Sequence, residues 1–248
     1  MVSTSIRRFE GKVVLITGGT SGIGLALAEA FLAEGASVAV CGLDGDKARA
    51  FQAKHRGTLA LSGDIADPNF QMALLGSVAG RFGRLDILVN NAGRLIERDF
   101  VKQPPGADAI AGELHLNLVA PVQLTSHALF RWPCLEALVF ISSGYALVSP
   151  RRAPTYGAAK AGLHGFAEGM RRQLEPQGIH VLEVLPPVVD TPATAHREVR
   201  KVSPEDVADA TLDALAARRP TALIGATRLL PALLRLAPGT MKRIVSGT

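Results

Sequence analysis

A serine, a tyrosine and a lysine in the run Ser142–Lys160 (SSGYALVSPRRAPTYGAAK) have the spacing to place three polar groups around one reacting oxygen. Tyr156 and Lys160 are four residues apart, so on a helix they share a face, one turn from each other. A tyrosine hydroxyl keeps its proton to about pH 10. An ammonium one turn away favours the phenolate and lowers that value, which makes the tyrosine usable as an acid or base near neutrality. The hydroxyl of Ser143, on the loop before, can hold the substrate oxygen. Tyrosine and lysine at this spacing are also common on ordinary helices, so the surrounding chain decides between the two readings.

Those side chains need elements to position them. Lys12–Thr17 reads as a buried parallel strand that runs into Gly18-Gly19-Thr20-Ser21-Gly22-Ile23-Gly24. A helix follows, with Leu25, Ala28, Phe31 and Leu32 at helical spacing. Glycines there let the backbone turn sharply and let a pyrophosphate reach the amides at the helix N-terminus. Ser37–Cys41 is a second strand, and Asp44 after it occupies the place where such folds read the adenosine ribose. Its carboxylate can accept from a free 2′-hydroxyl and repels a 2′-phosphate; it can equally cap the next helix. Leu59–Ser62 is a third strand, followed by Asp64, which lies on the ligand side of the sheet or caps a helix starting near Asp67-Pro68.

Phe70–Phe82 fits an amphipathic helix closed by Gly83, and Asp86–Val89 a strand running into Asn90-Asn91-Ala92-Gly93. Ala107–Phe130 reads as one long helix carrying Asn117 among leucines, where it must find partners or cost stability. Ala137–Ile141 is a strand ended by Ser142-Ser143, and Thr155–Leu174 is the helix bearing Tyr156 and Lys160. Ile179–Leu185 leads into Pro186-Pro187-Val188-Val189-Asp190-Thr191, Ser203-Pro204-Glu205-Asp206 starts a helix, and Leu223-Ile224-Gly225 gives a seventh strand. Strands alternating with helices predict an α/β fold. It is a single-domain, Rossmann-type doubly wound parallel sheet of about seven strands, with helices on both faces, spanning 1–248.

Composition narrows the function classes. With 48% apolar and 20% charged residues the chain suits a soluble globule with a sizeable core. It has no uncharged apolar run of transmembrane length, and its start, MVSTSIRRFEGKVV, lacks an apolar signal core. Cys41 and Cys134 are far apart and match no metal spacing, so a reduced, cytoplasmic protein without a metal site is expected. The net charge of +5 is spread along the chain without interleaved aromatics, which argues against nucleic acid as a partner.

Taken in order, these motifs resemble the short-chain dehydrogenase/reductase family over almost the whole chain. The residues that carry the resemblance are Thr17-Gly18, Gly22-Ile23-Gly24, Asp64, Asn90-Asn91-Ala92-Gly93, Asn117, Ser143, Tyr156, Lys160 and Pro186 through Thr191. In that family the serine lies thirteen residues before the tyrosine, which selects Ser143 over Ser142. The resemblance implies an NAD(P)-dependent oxidoreductase that passes a hydride between nicotinamide and a secondary alcohol or ketone. Tyr156 would be the proton donor or acceptor and Ser143 would hold the substrate oxygen. Lys160 would lower the tyrosine pKa and bind the nicotinamide ribose, and Asn117 would keep a water-linked proton relay to Lys160.

For the cofactor, the resemblance implies Gly18, Thr20, Ser21, Gly22, Ile23 and Gly24 at the pyrophosphate turn and Asp64 with Ile65 at the adenine. Asn91, Ala92 and Gly93 would pass beside the ribose, with Pro186, Val189 and Thr191 at the nicotinamide end. It also implies a small, apolar alcohol or carbonyl substrate and a homodimer or homotetramer. Within the family the run from Ser142 is similar to the group named for the DltE oxidoreductase. Two departures matter: Pro187 stands where the family has glycine, and Leu43 where the group has arginine. The group's NADP preference therefore does not transfer, and with Asp44 the expectation is NAD, with NADP as the alternative.

Two other readings stay open. A catalytically silent dinucleotide-binding regulatory protein would keep the fold without turnover. Residues 228–245 mix leucine with arginine and lysine in the manner of an interfacial helix, which would dock the enzyme on a membrane. Pro231 and Pro238 interrupt any long helix there, which favours an oligomer contact or a lid formed by 228–248.

Overall fold

The computed structural model describes residues 7–246. Residues 1–6 and 247–248, the outer ends of the expected domain and of the 228–248 segment, lie outside the described residues.

Seven parallel strands form one sheet: β1 (Val13–Thr17), β2 (Ser37–Gly42), β3 (Leu59–Ser62), β4 (Ile87–Asn90), β5 (Ala137–Ile141), β6 (His180–Leu185) and β7 (Thr221–Leu223). Their order across the sheet is β3-β2-β1-β4-β5-β6-β7. The chain thus builds outward from β1 in one direction, returns to β4 beside it and builds outward in the other. Ligands of such sheets bind where that reversal opens a crevice at the strand C-termini. β7 falls two residues before the expected Leu223-Ile224-Gly225, because Gly225 takes a left-handed backbone (φ +56°) and opens a short 3₁₀ turn, Gly225–Leu229.

Both sheet faces are covered, which is why the strands read as continuous apolar runs. Val14, Ile16, Val38 and Val40 face one layer, made by α1 (Gly22–Ala33), α2 (Gly45–Lys54) and α7 (Pro204–Ala216), with Phe31 fully buried. Val13, Leu15, Leu88 and Leu138 face the other, made by α3 (Pro68–Phe82), α5 (Ala120–Arg131) and α6 (Pro154–Leu174). Each fully buried large side chain in these layers contributes ~1.5–3 kcal/mol. Local sequence fixes the helix ends. Asp67 caps α3, Pro68 opens it and Gly83 closes it with φ +74°, while Ser203 and Asp206 form a capping box on α7.

The expected long helix 107–130 is instead α4 (Ala107–Leu114), a π turn (His115–Val119) and α5. Pro121 supplies the reason. In a regular helix its ring would meet the carbonyl four residues back, that of Asn117, and one widened turn relieves the clash. After β7 the chain makes α8 (Leu230–Leu236) and α9 (Pro238–Ser246), with Pro231 and Pro238 both in the first turn of their helices. No described helix is long and apolar enough to cross a membrane.

Candidate active site

The C-terminal ends of six strands, β1 to β6, open onto a cleft of about 1360 Å³. At one end β1 enters the glycine turn. Gly18 and Gly22 have φ of +64° and +52°, which only glycine adopts without strain. A Cβ on Gly18 would lie 3.0 Å from Asn91 Nδ2, and one on Gly22 would lie 3.1 Å from Thr191. Gly24 does not line the cleft; a Cβ there would strike the Gly18 backbone and lie 2.6 Å from Asn91 Nδ2, so its part is to let α1 close on the turn. Ser21 opens α1 without a side-chain cap, which leaves the first amides of the helix for an anion. A dinucleotide pyrophosphate fits this cradle.

Thr17 fastens β1 to β4. Its Oγ1 accepts from Asn91 N at 2.9 Å and Ala92 N at 3.0 Å, and Asn91 Nδ2 donates to Thr17 O at 2.8 Å. Thr17 stands among the residues that carry the family resemblance, but a threonine ending a strand carries no signal of these partners. Thr20, Ser21, Ile23, Asp44, Asp64, Ile65, Asn91, Ala92, Gly93, Pro186, Val189 and Thr191 all line the cleft. Asp64 accepts from Ala66 N at 2.9 Å and leaves the capping of α3 to Asp67. Asp44 combines both of its readings: Oδ1 caps α2 by accepting from Asp46 N and Lys47 N, while the residue stays on the cleft wall. Those backbone bonds, with Lys47 and Arg49 nearby, hold its carboxyl below the usual range, so it is a carboxylate.

At the other end lie Ser143, Tyr156 and Lys160. β5 delivers Ser143, whose Oγ accepts from Tyr145 N at 3.1 Å and shares a hydrogen bond with the Tyr156 hydroxyl. Tyr156 and Lys160 sit one turn apart on α6, with Lys160 Nζ 5.7 Å from the tyrosine ring centroid. That nitrogen donates to Ile141 O at 2.9 Å and is buried. Burial pushes Lys160 down to about 8, against the attraction of Glu183. Tyr156 departs from expectation. Burial pushes it up to about 12; Ser143 and Arg197 pull it down, whereas Tyr145 and Glu113 add to the rise. In the protein alone desolvation outweighs the charge one turn away, and the tyrosine is a firmly held acid at neutral pH.

Asn117 lies behind this group in the π turn, 1% exposed. Its Nδ2 donates to Arg94 O at 3.0 Å and Glu113 O at 2.9 Å, and its Oδ1 accepts from Arg94 N at 3.1 Å. It does not line the main cleft but borders an adjoining cavity of about 230 Å³ with Arg94 and Glu113. A Cβ on Gly93 would lie 2.7 Å from Asn117 Oδ1 and 3.6 Å from Lys160 Nζ, so Asn117 and Lys160 meet across this glycine. Sequence reasoning missed the mouth of the cleft. There Arg197 pairs with Glu97 at 2.6 Å, and in the adjoining cavity buried Glu113 pairs with Arg98 at 3.0 Å. Among the described residues no cluster of three or more histidines, cysteines or acids could hold a metal.

Residues 228–246 contribute no wall to the cleft. Thr227, just before them, donates to Leu185 O at 2.6 Å, and a Cβ on Gly144 would lie 3.7 Å from Leu230. The segment thus packs behind the turn that follows Ser143, leaving Leu229, Leu236 and Ile244 exposed.

The chain matches the short chain dehydrogenase family over residues 12–201. It is 37% identical over 190 residues to the uncharacterized oxidoreductase DltE of Bacillus subtilis, covering 74% of each chain. It is 32% identical to the 3-oxoacyl-[acyl-carrier-protein] reductase FabG of Salmonella typhimurium, covering 75% of this chain and 77% of that one. The L-fucose dehydrogenase of mouse is 30% identical, over 76% of this chain and 69% of its own. The family match over residues 12–201, with 37% identity to DltE over 74% of the chain, leaves one assignment: the chain belongs to the short-chain dehydrogenase/reductase family, as an oxidoreductase similar to DltE.

Proposed function

We propose that the protein interconverts a secondary alcohol and its ketone with NAD as coenzyme, Tyr156 being the acid–base group. The observation that carries this is the Ser143–Tyr156–Lys160 cluster at one end of a cleft whose other end is a glycine-lined helix N-terminus. The family uses NAD(P), which when bound supplies or accepts the hydride. The chain's own residues do the rest. Gly18, Gly22 and the first amides of α1 would hold the pyrophosphate, Asp64 and Ile65 the adenine, and Asn91 through Gly93 the ribose. Pro186, Val189 and Thr191 would orient the nicotinamide end.

In reduction, the Ser143 and Tyr156 hydroxyls both donate hydrogen bonds to the carbonyl oxygen, and Tyr156 gives its proton to that oxygen as charge develops there. A tyrosine raised to about 12 keeps that proton ready throughout the neutral range. The Lys160 ammonium, one turn away, stabilises the phenolate left behind. Asn117, beside Lys160 across Gly93, would keep the reprotonation path open. Asp44 supports NAD over NADP: an ionised carboxylate at the adenosine end accepts from a free ribose hydroxyl and repels a phosphate dianion, and neighbouring Leu43 offers no positive charge.

A panel of secondary alcohols and ketones, followed at the reduced-nicotinamide absorbance with both coenzymes, tests this. Turnover is expected, with the higher kcat/KM for NAD. Tyr156→Phe should lose at least ~10²–10⁴-fold in kcat while still binding coenzyme, since it removes one hydroxyl and little volume. Near-parental turnover in that variant would refute the mechanism, and a clear NADP advantage in the parent would refute the role of Asp44.

A further inference from the structure

β6 carries a carboxylate under the catalytic helix. Glu183 is 1% exposed and points to the layer where α6 packs, its register partner on β5 being Phe140, one residue before the Ile141 carbonyl that holds Lys160. From α6, His164 reaches the same carboxylate, with Nδ1 at 2.7 Å from Oε2, while 40% of the histidine side chain remains in solvent. Because the carboxylate can only accept, Nδ1 carries the hydrogen, and the neutral ring suffices for this bond. Lys160 and His164 are four apart, on one face of α6 above Glu183. The second oxygen, Oε1, is buried and has no hydrogen-bond partner. A carboxylate so placed needs a compensating charge, and so does the buried ammonium of Lys160, which donates to a neutral carbonyl.

We propose that Glu183, fastened by His164, is the positioning counter-charge that keeps Lys160 an ammonium behind Tyr156. The attraction of Glu183 is the force that opposes burial at Lys160. Other ionisable groups face the tyrosine side of the cluster: Tyr145 from the turn after β5, Glu113 from α4 and Arg197 from the loop after Thr191. None of these is among the charges felt by Lys160; Glu183, on the strand beneath the Lys160 and His164 face of α6, is. The consequence for the reaction rests on the acid–base reading above; the charge state of Lys160 does not.

The experiment therefore reads Lys160 directly. NMR titration of the Cε resonances in lysine-labelled protein, with Lys160→Gln identifying the signal, should place Lys160 near 8 in the parent. Glu183→Gln, of equal shape, should lower that midpoint by about one pH unit, tenfold in acidity, and Glu183→Asp should restore most of it. The alkaline limb of kcat/KM for ketone reduction should move with the Lys160 midpoint. His164→Leu, at a half-exposed position, removes the side chain that fastens Glu183 and should shift the midpoint the same way. This variant serves if Glu183→Gln fails to melt cooperatively. An unchanged Lys160 midpoint in a folded variant overturns the proposal, as does a shift that Glu183→Asp does not reverse. A shifted midpoint in a protein that turns over no alcohol or ketone upholds the counter-charge and refutes the proposed reaction instead.

Discussion

Burial, rather than the nearest charge, decides how Lys160 and Tyr156 titrate. Lys160 is held at about 8 where its ordinary value is 10.5. Between those pH values the unfolded chain binds more protons than the folded one, so stability rises with pH through that window. The full difference, on the order of 3 kcal/mol from the 1.36 kcal/mol per pH unit, applies below about pH 8 and vanishes by about 10.5. Denaturant melts at pH 7.5 and pH 10 should show the parent gaining stability relative to Lys160→Met by that order. The slope is the readout, because the absolute difference also contains the loss of Glu183's counter-charge. Parallel pH dependences for the two proteins would show that Lys160 is not desolvated.

One irregular element does the positioning that a regular helix could not. The π turn at His115–Val119 aims Asn117 inward, where one side chain satisfies both backbone groups of Arg94 and the Glu113 carbonyl. Asn117→Ala should strand those groups, each costing ~1–3 kcal/mol where water cannot replace the asparagine. The melting temperature should fall by several degrees, with ~2–4 °C per kcal/mol for a chain of this size. Loss in kcat should exceed loss in coenzyme affinity, since the loop from Gly93 to Arg94 would shift against Lys160. A variant that melts within about a degree of the parent would show that the clamp contributes nothing.

The molecule as a whole is a parallel sheet whose single reversal, between β1 and β4, opens one large cleft. Its volume of about 1360 Å³ exceeds the ~300–1,000 Å³ typical of a site for one small ligand, which suits a dinucleotide and a substrate together. Because the walls come from elements throughout the chain, coenzyme binding should stabilise the whole fold. At a hundred times its Kd a ligand of the folded state adds about 2.7 kcal/mol. NAD at that level should therefore raise the melting temperature by about 5–10 °C, and NADP at the same concentration by less. Absence of a shift with either coenzyme would contradict the cleft as their site.

Much of this was legible in the chain before folding. The apolar runs and helical periodicity placed the strands and helices to within a few residues, because both faces of the sheet are covered and helices such as α2, α3 and α7 carry their own caps. The spacings of Ser143, Tyr156 and Lys160 and the glycines of the first turn marked the site, since they express local geometry: one helical turn, one strand end, one left-handed residue. Pro121 was the signal for the π turn, but its effect depends on which neighbour it clashes with four residues back. What the linear sequence could not carry are meetings between distant segments. His164 with Glu183 spans 19 residues, and Arg197 with Glu97 spans 100. The direction of the Tyr156 pKa also belongs here: the ammonium one turn away predicts a fall, and the closing of the sheet and α6 around the ring produces a rise. Desolvation is a property of everything packed around a group, so only the tertiary structure could set it.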